Sequence, residues 1–480
     1  MSAYSIVAPV LIGAAALIGL AILISIADES GPRRPGRLGI AIVAASLAMV
    51  SIAADSVTVA LVAAAGATSI GWLVVASRTV RVGIAGRGVA LHSLAVVALD
   101  SVAFLLTIGV GPFAPIAIAA SGFLRARLFP FNGFARDMGA AGGSVAALTT
   151  LGAIAGIALV ARALDQFPAL GAATLALATI SAFLAGFGAI LTRRLRVAFD
   201  ILSANDLAHA VAAIALGSPI GLVVGVAHTV FVALSRVAIA AQADESTATR
   251  MARPRAGLAA ATYWLGVGSA LGVVPGAPGV TRWLVYLALA LENQWIVVVA
   301  LAAGATLSFA SAWRRLADAV PGERDRVHDI WMVARGAPAT VILALGPVAA
   351  IVAIGGYLAP AMRALPSAPA LSFDADILFD VPGALALTIA IGVAIAGAGL
   401  NLGQNVAQPR RVLTRWRRRS GPWRAAPRNL ALHGFPWRIG IGLVAEPSAH
   451  ILSFLAERGP ADIAVVTIVV AAVLALATIG

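Results

Sequence analysis

The segment YSIVAPVLIGAAALIGLAILISIA, residues 4–27, contains no charged side chain. A helix needs only about 17–25 such residues to cross a bilayer, and comparable runs recur along the whole chain. That recurrence constrains the fold more than any single motif. Sixty per cent of the 480 residues are hydrophobic and 11% are charged, against roughly a quarter charged in soluble domains. The sequence therefore reads as an all-α polytopic membrane protein.

On a criterion of about 20 apolar residues per crossing, the expected spans are 4–27, 38–54, 56–77, 89–110, 112–129, 143–163, 167–191, 200–217, 219–242, 256–274, 283–312, 335–358, 381–402 and 462–480. That makes about 14 transmembrane helices. The first span lacks a basic leader and a small-residue cleavage site, so it is expected to be a retained helix. Residues 1–402 are expected to form the transmembrane bundle, 403–461 a basic cytoplasmic segment, and 462–480 a C-terminal transmembrane helix.

The basic residues test the spans. Arg33, Arg34 and Arg37 share one gap, and Arg78, Arg81 and Arg87 another. Arg193, Arg194 and Arg196 form a third cluster, and Arg250, Arg253 and Arg255 a fourth. Two more follow, from Arg314 to Arg326 and over 409–424. Every cluster falls on one side, which the positive-inside rule makes cytoplasmic. The opposite gaps are short or acidic, as at Asp374, Asp376 and Asp380. The expected location is the cell inner membrane, with both termini outside.

Several chemistries drop out. Cysteine is absent, so disulfides, thiolate catalysis and Cys-based metal or iron–sulfur sites are excluded. The net charge of +13 comes entirely from arginine among the Lys and Arg residues, since the chain has no lysine. Its arginines sit in gaps between apolar runs, which argues against nucleic acid as a partner. The tail RRVLTRWRRRSGPWR, with Trp416 and Trp423, has the character of an anchor on anionic lipid headgroups. HGFPWRIGIGLVAEPSAHILSFLAERG, from His433, alternates faces at helical spacing; it reads as an interfacial amphipathic helix or as an ordinary loop. GAGLNLGQ is glycine-rich but follows an apolar helix rather than a strand, which argues against a nucleotide site. No catalytic constellation, metal cluster or cofactor motif is expected in this chain.

The most informative polar stretch is RARLFPFNGFARDMGAAGGSVAALTT, from Arg125 to Thr150. It resembles the signature of the antiporter-like proton-translocating membrane subunits found in respiratory complex I, Mrp-type antiporters, membrane-bound hydrogenases and inorganic-carbon transporters. Phe129, Pro130 and Phe131 match the family's F-P-F, and Gly133 and Phe134 stand where it has G-W. Asp137 falls on its aspartate, and Val145, Ala147 and Leu148 on V-S-A-L. Weaker matches follow in order: RVAFDILSANDLAHA, then GVAHTVFVAL with His228, then VPGAPGVTRW, then ERDRVHDIWMVARGAP. Together they cover roughly Asp55 to Gly356.

The resemblance implies inverted five-helix repeats, each with one discontinuous helix lining a hydrated path. Pro130 and Gly133 would mark the first break, Pro275 and Pro278 the second. It also implies a complex: other membrane subunits, and a soluble or peripheral subunit carrying the chemistry. The chain departs from the pattern at its titratable positions. The family's first lysine falls on Arg125, its histidine on Thr150, its second lysine near Val232, and its terminal acid or lysine on Trp283, beside Arg282. Arginine is effectively never deprotonated.

Ionisable residues nevertheless remain in or beside apolar runs. Asp100, Asp200, Asp206, His209, His228, Arg236 and Glu292 are each costly to bury, by at least about 2.5–3.5 kcal/mol for a charge at mid-membrane. With Arg125 and Arg282, all but Asp200 form the candidate proton pathway. Asp200 and Asp206 also fit an interfacial position near Arg193–Arg196, and Glu292 a pairing with Arg282. Three readings stay open: a proton-moving antiporter-like subunit with a partly degenerate pathway, a non-conducting scaffold in such a complex, and a stand-alone secondary transporter.

Overall fold

The computed structural model describes residues 3–27, 34–78, 84–108, 113–132, 143–191, 195–246, 268, 271–273, 276–317 and 380–406. These hold twelve α-helices and, among the described residues, no strand. We number them α1 (Ala3–Ala27), α2 (Arg34–Ala53), α3 (Val57–Arg78), α4 (Ile84–Ile108), α5 (Ala114–Ala126) and α6 (Gly143–Gln166). There follow α7 (Gly171–Leu191, entered through a 3₁₀ turn at Pro168–Leu170), α8 (Leu195–Ile214), α9 (Pro219–Ser246), α10 (Ala277–Leu291), α11 (Trp295–Ala317) and α12 (Val381–Val406). Four stretches are long and apolar enough to cross a membrane: Pro168–Ile190, Pro219–Arg236, Trp295–Trp313 and Val381–Leu400.

Small side chains set the packing. A Cβ on Gly186 of α7 would strike the Gly304 carbonyl of α11, and one on Gly304 would come within 2.6 Å of the Ala182 carbonyl. The two backbones thus touch directly, the contact that small residues permit where lipid gives no hydrophobic drive for helices to associate. Gly122 of α5 and Gly156 of α6 meet in the same way. The main apolar core draws on α1, α2, α6, α8, α9 and α10. Leu105, Phe113, Ile296 and Ile395 point outward and are exposed, as lipid-facing residues should be.

Helix ends matter more than helix middles here. Helix α5 stops at Ala126, because Arg127 takes the left-handed conformation (φ 58°, ψ 38°). Its N–H donates to the Leu124 carbonyl at 3.1 Å and that of Leu128 to the Phe123 carbonyl at 3.0 Å. This pattern satisfies the last carbonyls of a helix, and glycine usually occupies the left-handed position. The backbone stays irregular through Asn132, with a cis Phe129–Pro130 bond, and the next described helix begins at Gly143. At the other end of the sequence, α10 starts at Ala277 with Gly276 as N-cap and Pro278 in its first turn, where a missing N–H costs nothing.

The structure corrects one expectation. The span 283–312 is not one helix: α10 ends at Leu291 and α11 begins at Trp295. Asn293 adopts a left-handed conformation (φ 56°), and Gln294 N–H donates to the Leu289 carbonyl at 2.8 Å. A run of Glu, Asn and Gln thus closes one helix, although the apolar flanks hide it in any long window. The count of fourteen helices is not confirmed; the described residues contain twelve. Spans 335–358 and 462–480 lie outside them, as does 256–274 apart from Gly268 and 271–273, and everything after 406, including the expected interfacial helix.

Candidate functional site

Helix α8 carries the polar axis of the bundle. Asp200, Asn205, Asp206 and His209 all lie on it and all are buried. At 1.5 Å of rise per residue, Asp200 and His209 stand about 14 Å apart along its axis. Each is met by a polar side chain or carbonyl from the structure around it.

A first ion pair joins α4 to α5. Asp100 of α4 is bonded to Arg125 of α5, with Arg125 Nη1 at 2.9 Å from Oδ1 and Nη2 in contact with Oδ2. The hydroxyl of Ser121 also donates to Asp100. Arg125 Nε donates to Thr68 Oγ1 of α3 at 3.2 Å. About two helix turns before Asp100 on α4, His92 Nε2 lies 3.1 Å from the Leu124 carbonyl.

Two residues beyond Arg125, the left-handed turn sends Arg127 toward α8. Arg127 Nη1 stands 3.4 Å from Asp200 Oδ1, and Arg236 Nη2 of α9 contacts the same oxygen. Both guanidiniums also reach Thr149 Oγ1 of α6, at 3.5 and 3.4 Å.

The third group joins α8 to the start of α10. Arg282 Nη2 donates to Asp206 Oδ1 at 2.5 Å, and Arg282 Nη1 to the Leu271 carbonyl at 3.1 Å. Gly272 (φ 68°) makes room: a Cβ there would collide with the Arg282 guanidinium. Next to it His209 bonds the Asn205 carbonyl at 2.8 Å and Tyr286 Oη at 3.2 Å. His228 of α9 bonds Thr281 Oγ1 at 2.8 Å, and its ring centroid lies 6.2 Å from that of His209.

Of the sequence candidates, Asp100, Arg125, Asp206, His209, His228, Arg236 and Arg282 are therefore all buried and fall into these three polar groups. Glu292 does not. It is exposed in the α10–α11 turn, because the helix carrying it has ended, and Arg282 pairs with Asp206 instead. Asp200 and Asp206 are buried against arginines from other elements, Arg127 and Arg236 for the first and Arg282 for the second. Pro130 follows the end of α5 and Pro278 lies in the first turn of α10; Gly133 and Pro275 lie outside the described residues. Sequence reasoning missed Arg127, Ser121, Thr68 and Tyr286. Arg127 alone left a sign, as a second arginine two places from Arg125 in an otherwise apolar helix end.

These features define a class: a polytopic helical membrane protein whose buried charges run through the bundle beside two helix interruptions. No family model matches the sequence, and no curated protein matches it. Solved structures do resemble it. The Mrp complex from Dietzia sp. DQ12-45-1b contains a chain similar at 20% identity and a TM-score of 0.68, over 98% of this chain and 55% of that one. The protein thus spans about half of that Mrp chain. Respiratory complex I from Thermus thermophilus with bound NADH contains another, at 15% identity and a TM-score of 0.62, over 81% of this chain and 85% of that one. The chain shares the fold of a chain in each of these two complexes.

Proposed function

We propose that this chain is an antiporter-like subunit of a multi-subunit membrane complex and serves there as a fixed-charge scaffold, not as a proton conductor. The carrying observation is that Asp100, Asp200 and Asp206, the buried carboxylates among the described residues, are each bonded to arginine. Arginine holds its proton at any physiological pH, so these pairs tie α4, α5, α8, α9 and α10 together without offering a proton to pass on. The interruptions after α5 and before α10 support two repeats with discontinuous helices. The arginine clusters support an inner-membrane location, with their gaps on the cytoplasmic side and both termini outside. A chain without redox ligands in such a complex needs a partner, soluble or peripheral, that carries the chemistry.

One observation favours the rival reading, a subunit that still conducts. His209 and His228 are neighbours, and His228 Nε2 has no hydrogen-bond partner among the described residues. The test is proton flux in proteoliposomes holding the co-purified complex. His228→Phe keeps a ring of similar shape and removes the proton site, while Glu292→Gln alters a group outside the region. In a scaffold both variants assemble and flux is unchanged. A severalfold fall in flux for assembled His228→Phe would mean that the subunit conducts.

A further inference from the structure

Two of the three buried ion groups are neutral: Asp100 with Arg125, and Asp206 with Arg282. The third is not. Asp200 is one carboxylate shared by two arginines, Arg127 and Arg236, with side chains 1–2% exposed. Both guanidiniums stay charged, so among the described residues one buried positive charge is left without a counter-charge. Burying a charge without a counter-charge is strongly unfavourable.

Their donors are also left over. Arg127 uses Nη1 for Asp200 and Thr149, while its Nε and Nη2 have no partner among the described residues. Those two groups form one edge of the guanidinium, the geometry that grips an oxyanion with two parallel bonds. Arg236 uses Nη2 for the same two groups and leaves Nε and Nη1 unpartnered. The turn itself does not call for arginine: glycine or asparagine suits a left-handed position better. A long cation is carried there despite the backbone.

We propose that Arg127 and Arg236 form a buried site for one small monovalent anion, of the chloride or nitrate kind. One negative charge neutralises the group, whereas a divalent anion would reverse the imbalance. Water would satisfy the N–H groups but not the charge. This goes beyond the scaffold reading and holds whether or not the chain conducts protons.

The experiment uses the full-length protein in detergent and radiolabelled chloride, with nitrate as competitor and gluconate as the control at matched ionic strength. The expected result is one saturable site per chain, displaced by nitrate and not by gluconate, with a thermal midpoint higher in chloride than in gluconate. Arg127→Gln and Arg236→Gln each leave Asp200 with a single arginine. Either should weaken chloride binding by at least about tenfold and abolish the midpoint difference. The proposal is overturned if the wild-type protein shows no saturable site, or if a folded variant binds chloride as the wild type does. The wild-type isotherm decides even if one variant does not fold.

Discussion

Helices α5 and α10 bring arginines to the same helix by opposite means. Arg127 lies just past a helix C-terminus and reaches Asp200 from a left-handed turn. Arg282 lies inside α10 near its N-terminus and reaches Asp206 while also bonding the Leu271 carbonyl of the preceding turn. In the second case the left-handed residue is Gly272, which clears space for the cation; in the first it is the cation itself. What α8 requires is a guanidinium beside each carboxylate, and the backbone around each break is shaped differently to deliver it. The outcomes differ as well, since Asp206 is balanced one to one and Asp200 is not.

That contrast orders the expected losses of stability, measured as unfolding midpoints of the full-length protein in detergent. Asp200→Leu should cost most, more than the roughly 3–5 kcal/mol usual for breaking a buried pair, because it strands two guanidiniums. Chloride should restore part of it relative to gluconate. Asp206→Leu strands one and should fall within that range, and adding Arg282→Met should recover most of the loss. Equal costs for Asp200→Leu and Asp206→Leu would break the comparison. Gly272→Ala keeps every charge but sets a Cβ in a left-handed residue against Arg282, for a loss of about 1–3 kcal/mol. Glu292→Ala, in the exposed turn, should change stability by no more than about 0.5 kcal/mol.

Much of the helical fold was legible because apolar runs bounded by arginine clusters mark helices without help from tertiary structure. Ten of the expected spans match helices or their immediate neighbourhoods, whereas 283–312 fused two. Its boundary depends on Asn293 turning left-handed, a local event too short to interrupt a hydropathy pattern. The breaks at Pro130 and Pro278 were visible as clusters of proline and glycine, but the residue that ends α5, Arg127, is neither. Pairing was the least legible part. Asp206 sits near basic residues in sequence, yet its partner lies 76 positions away, and only the packing of α8 against α10 selects it. Asp100 and Arg125 were both singled out, but nothing in their spacing joined them.

The sequence distance between partners has a consequence for how the protein is made. Arg125 emerges from the ribosome after Asp100, its counter-ion 25 residues earlier, so that pair can form as soon as α5 is complete. Arg127 comes next and must wait for Asp200, 73 residues later. At about 5–20 residues per second that interval is roughly 4–15 s, during which α6 and α7 are synthesised. The short helix α5 thus enters the membrane with one of its arginines answered and the other not, and its C-terminal turn can settle only once α8 has arrived.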